Sequence, residues 1–282
     1  MKYLIINADD FGYNPQQTKA IKELYTEGLI TSTSVLTVAE DANHAAKTAA
    51  SLNIPVGVHL TINSDSEQNR WKSLSGGKSL SDEKGFYSDQ LKLALHGKRR
   101  EVAQELEAQY RFLTENGCTV DHADNHCGTL YGINGRRFYI EAYNFCAAHS
   151  LPYRFPKTPN FLERQLGRSV PKPIISFQQR IVKVGEKLGV RMLDDLVSNP
   201  YSMDKIGSYY ALRDYYLKAV DNCIDGVTEM FLHPAYPIDG DKEWEKRVME
   251  LKLLKSGDIL QRAEDKGVKV VSWSIFKEIE WI

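Results

Sequence analysis

Residues 1–14 read MKYLIINADDFGYN. Tyr3 to Ala8 is a continuous apolar run broken only by Asn7, the mark of a strand buried on both faces. It ends on two adjacent carboxylates, Asp9 and Asp10. Neighbouring like charges repel, so the pair needs a cation or a proton between them. Downstream, Asn14-Pro15-Gln16-Gln17 is a helix start. Asn caps, Pro suits the first helical position, and Gln17 has the spacing to return a bond to the cap. Ala20, Ile21, Leu24 and Tyr25 give that helix one apolar face, and Gly28 stops it.

Further along the chain the pattern repeats. Strands are expected at Ser34–Val38, 55–60, 118–121, 151–155, 190–193, 227–232 and 268–273. Helices are expected over 42–52, 99–115, 135–149, 176–188, 209–223, 242–256 and 259–266. Residues 63–86 and 156–173 read as irregular loops. Strand and helix alternate throughout, which predicts an α/β fold with parallel strands. Seven or so such units predict one (β/α) barrel domain spanning residues 1–282.

Composition excludes several classes. Lys+Arg total 36 and Asp+Glu 37 in 282 residues. Such a balance argues against nucleic acid and against a polybasic membrane anchor. No apolar stretch reaches the roughly 18 residues of a membrane span, and the apolar N-terminus is too short for a signal peptide. Cys118, Cys127, Cys146 and Cys223 have no C-x-x-C spacing and read as reduced thiols. A cytoplasmic location is therefore expected. Gly76-Gly77-Lys78-Ser79 lacks the first glycine and preceding strand of a phosphate loop, so it reads as a plain loop.

Chemistry collects at strand ends. Asp9-Asp10 follows "LIINA", His59 follows "VGV", His122, Asp124 and His126 follow "CTV", and His233 follows "TEMFL". In a (β/α) barrel such ends open onto one face. In an extended segment residues two apart share a face, so His122, Asp124 and His126 are expected to point together. Two imidazoles with a carboxylate make a common divalent-metal site. Tyr131, Trp71 and Phe161 lie in loops at the same face, where aromatic rings stack on sugars.

The ordered set "NADDFG", "TSTSVL", "GVHL", "DHADNH" and "EMFLHPAY" resembles the YdjC-like carbohydrate deacetylases, relatives of the NodB-type polysaccharide deacetylases. The resemblance runs along nearly the whole chain. It implies a distorted TIM-like barrel, a divalent cation recorded as magnesium, an acetylated-sugar substrate and, in some members, a homodimer. The implied reaction is hydrolysis of the N-acetyl amide of small chitooligosaccharides or N-acetylglucosamine-type sugars, a step in oligosaccharide degradation. It implies Asp10, His59 and His126 as metal ligands, Asp9 as general base and His233 as general acid. Arg154 in "YRFP" is similar to the NodB-type arginine that holds the catalytic aspartate. His122 and Asp124 are then supporting neighbours, with metal binding by His122 left open. Many members carry "HLDSHHH" where this chain has "HADNHCG", so Cys127 replaces a histidine. Two imidazoles and a carboxylate suit Zn²⁺, Mn²⁺ or Co²⁺ at least as well as Mg²⁺. The rival readings are a metal-dependent sugar isomerase or epimerase and a non-enzymatic carbohydrate-binding protein. The isomerase reading is disfavoured because no Lys or Glu accompanies the histidines at the strand ends.

Overall fold

The structure is a computed structural model, described here for residues 1–238 and 244–278. In chain order the elements are β1 (Lys2–Phe11), α1 (Pro15–Thr26), β2 (Ser32–Val35), α2 (Ala42–Ser51) and β3 (Val56–Leu60). Next come β4 (Ser81–Asp82), β5 (Gly85–Phe86), α3 (Gln90–His96), α4 (Arg99–Glu115) and β6 (Val120–Asn125). A 3₁₀ segment, His126–Tyr131, leads to α5 (Tyr139–His149), α6 (Asn160–Leu166), α7 (Lys172–Lys187) and β7 (Asp195–Val197). Last are α8 (Met203–Ile206), α9 (Tyr209–Asp221), β8 (Gly226–Leu232), α10 (Glu245–Ser256), α11 (Asp258–Asp265), β9 (Lys269–Val270) and α12 (Ile275–Glu278).

The main sheet is parallel, in the order β6-β3-β2-β1-β8-β7. β1 pairs with β8 along Lys2–Ala8. It also pairs with β9 at Tyr3 and Leu4, and with β2 from Asn7 onward. The outer edges are linked by isolated bridges, Ala123 to Tyr153 and Tyr153 to Met192, the latter just ahead of β7. This arrangement is compatible with a distorted (β/α) barrel.

The apolar run of β1 behaves as its composition dictates. Leu4, Ile5 and Ile6 are fully buried. Leu4, Ile6 and Ala8 join the large core cluster with α1 and α2 residues such as Leu24 and Ala46. Ile5 instead joins Val227, Leu193, Trp273 and Phe276. Alternate residues of β1 therefore feed two apolar clusters, as the period of a strand requires. Each such side chain contributes about 1.5–3 kcal/mol of burial.

Several expected elements differ. The segments 151–155 and 190–193 form single bridges rather than strands, and β7 begins only at Asp195. The loop 63–86 contains the β4–β5 hairpin, and 156–173 contains α6. Both are short pieces without a periodic apolar pattern to announce them. β2 ends at Val35 and not at Val38. The start expected for the helix at 242–256 lies outside the described residues, and α10 runs from Glu245. Asn14 caps α1 by accepting from Gln17 N at 2.9 Å, as expected. The Gln17 side chain does not return to the cap. It is fully buried, donating to the Asp9 carbonyl at 3.0 Å and accepting from Arg247 at 2.8 Å. Among the described residues no helix is long and apolar enough to cross a membrane.

Candidate active site

The adjacent aspartates reach one site because β1 is irregular there. Successive side chains of a regular strand point to opposite faces. Between Ala8 and Phe11 the pairing with β2 shifts register, and Asp10 adopts a left-handed backbone with φ 65°. That conformation is tolerated by Asp better than by most residues. It turns Asp10 onto the same cavity as Asp9, and both are buried.

His59, from the end of β3, and His126, just past β6, complete a triangle with Asp10. Asp10 Oδ1 lies 3.3 Å from His59 Nε2 and 3.6 Å from His126 Nδ1. The two ring nitrogens are 3.3 Å apart. Each ring is fixed from its far side. His59 Nδ1 is 2.8 Å from Asp124 Oδ1, and His126 Nε2 is 2.6 Å from Asp65 Oδ1. A carboxylate only accepts, so each far nitrogen holds a proton and the facing nitrogens are the ones left to ligate a cation once they are deprotonated. Arg247 holds the other oxygen of Asp10, donating to Oδ2 at 3.0 Å. Asp10 Oδ1 is left buried without a hydrogen-bond partner.

These groups fit a divalent cation. Two imidazole nitrogens and an orphaned carboxylate oxygen converge, the donor set of many such sites once the rings are deprotonated. Charge agrees. Asp9, Asp10, Asp124 and Glu229 are all buried, against the guanidinium groups of Arg154 and Arg247. Burial opposes ionisation of Asp10, yet His126, His59 and Arg247 hold its carboxyl well below the usual range. Burial also opposes charge on His59, but Asp124 and Asp10 push it up to about 10. His126 is raised likewise, burial being outweighed by Cys127, Asp10 and Asp65. In the cation-free protein both rings therefore keep a second proton near neutrality. A cation must displace those protons, so its affinity should rise with pH through neutrality towards the His59 value of about 10. Calorimetric titration with Zn²⁺ or Mn²⁺ in buffers of different ionisation enthalpy should read proton release at pH 7. Absence of release would contradict the ligand set.

Beside the triangle, Arg154 grips Asp9 with two bonds, to Oδ2 at 2.6 Å and Oδ1 at 2.7 Å. Asn7 also donates to Asp9 Oδ1 at 2.6 Å. Arg154 in turn donates twice to Glu229, at 2.9 and 2.8 Å, and lies 2.8 Å from Asp124 Oδ2. One buried guanidinium thus serves three carboxylates. Burial pushes Glu229 up to about 7, against the pull of Arg154. Burial also raises Asp124, but Arg154 and His59 bring it below its ordinary range. His233, after β8, places Nε2 4.0 Å from Asp9 Oδ2. Its backbone N–H donates to Glu250 at 2.7 Å. Burial lowers His233 below its ordinary value, although Asp10 opposes this, so the ring is neutral at pH 7.

His122 is not at this triangle. Its ring stacks on Trp273 at 4.4 Å, and its Nδ1 meets Asp121 at 2.6 Å. His122 and Asp124 share a face as expected, but residues two apart in a strand are about 6.6 Å apart along it. The histidine is therefore too deep, and its ring fills the space over Gly57, where a Cβ would meet Nε2 at 2.2 Å. Sequence reasoning missed Asp65 and Arg247. Neither sits at a strand end, and no spacing marks them.

The cavity holds about 580 Å³ and is lined by Asp9, Asp10, His59, His126, His233 and Arg247, with Tyr131 and Phe161 on its wall. Trp71 stands edge-on to His126 at 5.3 Å. Cys127 also lines it, in a left-handed backbone with φ 52°.

Comparison with known proteins follows the same outline. A carbohydrate deacetylase of Thermoanaerobacter pseudethanolicus is 25% identical, over 98% of this chain and 100% of that protein. A carbohydrate deacetylase of Enterococcus faecalis is 27% identical, over 96% and 97%. A chitooligosaccharide deacetylase of Proteus mirabilis is 37% identical, but over 44% of this chain and 48% of that one. A crystal structure from Enterococcus faecalis, of a protein named for cellobiose-phosphate cleavage, superposes with a TM-score of 0.75 at 25% identity, covering 98% of both chains. The model of the family described as YdjC-like protein matches residues 3–265, and the chain belongs to that family.

Proposed function

We propose that the protein is a carbohydrate deacetylase that uses a divalent cation to hydrolyse the N-acetyl amide of small amino sugars. The observation that carries this reading is the convergence of Asp10 Oδ1, His59 Nε2 and His126 Nδ1 beside the Asp9–His233 pair. The named relatives support the enzyme class, carbohydrate deacetylation.

In this reading Asp10, His59 and His126 hold the cation. When bound, such a cation polarises an amide carbonyl and acidifies water. Asp9 Oδ2 takes the proton from the attacking water as general base. Arg154 and Asn7 fix the orientation of that carboxylate. His233 is neutral in the resting protein, so it needs a proton before it can act as an acid. Asp9, 4.0 Å away, is the source. The proton taken from water passes to His233 Nε2 and then to the leaving nitrogen, which departs as an amine. One proton leaves the water and one arrives on the nitrogen, so the cycle closes without outside acid.

The test is acetate release from N-acetylglucosamine and its short oligomers by metal-stripped protein, with Mg²⁺, Zn²⁺, Mn²⁺ and Co²⁺ restored singly. Acetate formed only after restoration is the expected result. Full activity in chelator would remove the cation from the reading, and sugar isomerisation without acetate would replace the reaction.

A further inference from the structure

The catalytic cavity does not end at the polar residues. Tyr131, Ile133, Phe161 and Leu162 line both that cavity and a second space of about 360 Å³. Beyond them the second space runs between α6 and α7, past Ile174 and Phe177. Its volume is that of a small-ligand pocket. Its composition is not that of a sugar site. The Tyr131 hydroxyl is turned away, donating to the Arg154 carbonyl at 2.5 Å. The Gln178 amide nitrogen is likewise committed to the Pro156 and Thr158 carbonyls, at 2.8 and 2.7 Å. Gln178 Oε1 is partnerless but buried. A ring bearing hydroxyls would lose water there and find little to replace it, a cost of about 1–3 kcal/mol for each group. An apolar group meets no such penalty. The exposure of Ile133 (67%), Ile174 (43%) and Phe177 (38%) leaves apolar surface that only an apolar occupant would cover.

We propose that this groove is a subsite for an aryl or alkyl aglycone, so that the substrate class includes N-acetylamino sugars glycosidically linked to an apolar group. The inference rests on the deacetylase reading. The reacting acetamido group sits at the Asp9–His233 end, and the aglycone extends past Phe161 into the groove.

The experiment compares the phenyl and methyl glycosides of N-acetylglucosamine, scored by acetate release with metal restored. Burial of a phenyl ring predicts kcat/KM on the phenyl glycoside at least about 10-fold above that on the methyl glycoside. Ile174→Asn and Phe177→Ser, both at partly exposed positions, should erase that ratio and leave the methyl glycoside rate unchanged. Equal kcat/KM on the two glycosides in the unaltered protein would overturn the proposal. Phenyl glucoside lacks the acetamido group, and its binding is read by calorimetry. Should no glycoside yield acetate, the deacetylase reading fails, while binding of phenyl glucoside that is lost in Phe177→Ser would still support the groove. No binding would sink the groove as well. Concentration-dependent self-association that Phe177→Ser abolishes would assign the surface to a second copy of the chain and overturn the subsite.

Discussion

Asp9→Asn should lower kcat by about 10²–10⁴-fold while leaving cation affinity near normal, because a positioned general base is worth that much. The substitution keeps size and removes the charge that accepts a proton. Asp9 is not among the three groups whose lone pairs converge on the candidate cation position, so stoichiometric Zn²⁺ binding should survive. His59→Ala should do the reverse and lose the cation, since it removes one of two imidazole ligands. The two variants together separate base from ligand. One complication is local. Asn7 and Arg154 both donate to Asp9, and an amide at position 9 presents an N–H to one of these donors. Asp9→Ser, which presents no such fixed amide, provides the control. Turnover within about threefold of the parent in both variants would show that another group takes the proton. Loss of cation in Asp9→Asn would instead merge the two aspartates into one role.

What was legible in the chain follows the strength of local pattern. The apolar run of β1 announced a strand buried on both faces, and Leu4, Ile5 and Ile6 are fully buried. Strand-end polar residues were likewise visible, because several of them, on separate strands, open onto one face of a (β/α) barrel. Asp9, Asp10, His59, His126 and His233 do line one cavity. The bulge that turns Asp10 inward was not visible, since a left-handed Asp has no signature in composition. Strict strand parity would have sent Asp9 and Asp10 to opposite faces. His122 shows the opposite error. His122 and Asp124 share a face, but depth along the strand separates them, and the His122 ring ends on Trp273. Asp65 was hidden because a polar loop residue acquires its role only when the chain folds it against His126. The segment 151–155 errs the other way: the expected strand is a single bridging residue, Tyr153. A short apolar run reads the same whether it pairs along its length or at one residue.

The same buried charge cluster carries the largest expected effect on stability. Arg154→Met should destabilise the cation-free protein by about 3–5 kcal/mol, the usual cost of stripping one partner from a buried ion pair. Arg154 is 2% exposed, and Asp9, Asp124 and Glu229 all depend on it. Methionine fills much of the same volume over Phe231, so the loss is mainly electrostatic. In thermal unfolding this amounts to a shift on the order of 10 °C. The pH dependence fixes the cause. Without the guanidinium, Asp124 loses one of the charges that hold it below its ordinary range, and Glu229 rises further above its own. An acid raised in the folded state holds its proton longer there, so stability falls as pH rises from the unfolded value through the folded one. The deficit should therefore widen from pH 4 towards pH 7. Adding Asp124→Asn removes the charge that Arg154 holds low and should recover part of it. Melting curves of parent, Arg154→Met and the double variant in chelator, from pH 4 to pH 8, make the comparison. A deficit that stays constant across that range, with no recovery in the double variant, would mean that Arg154 stabilises the fold by packing and not by holding three carboxylates together.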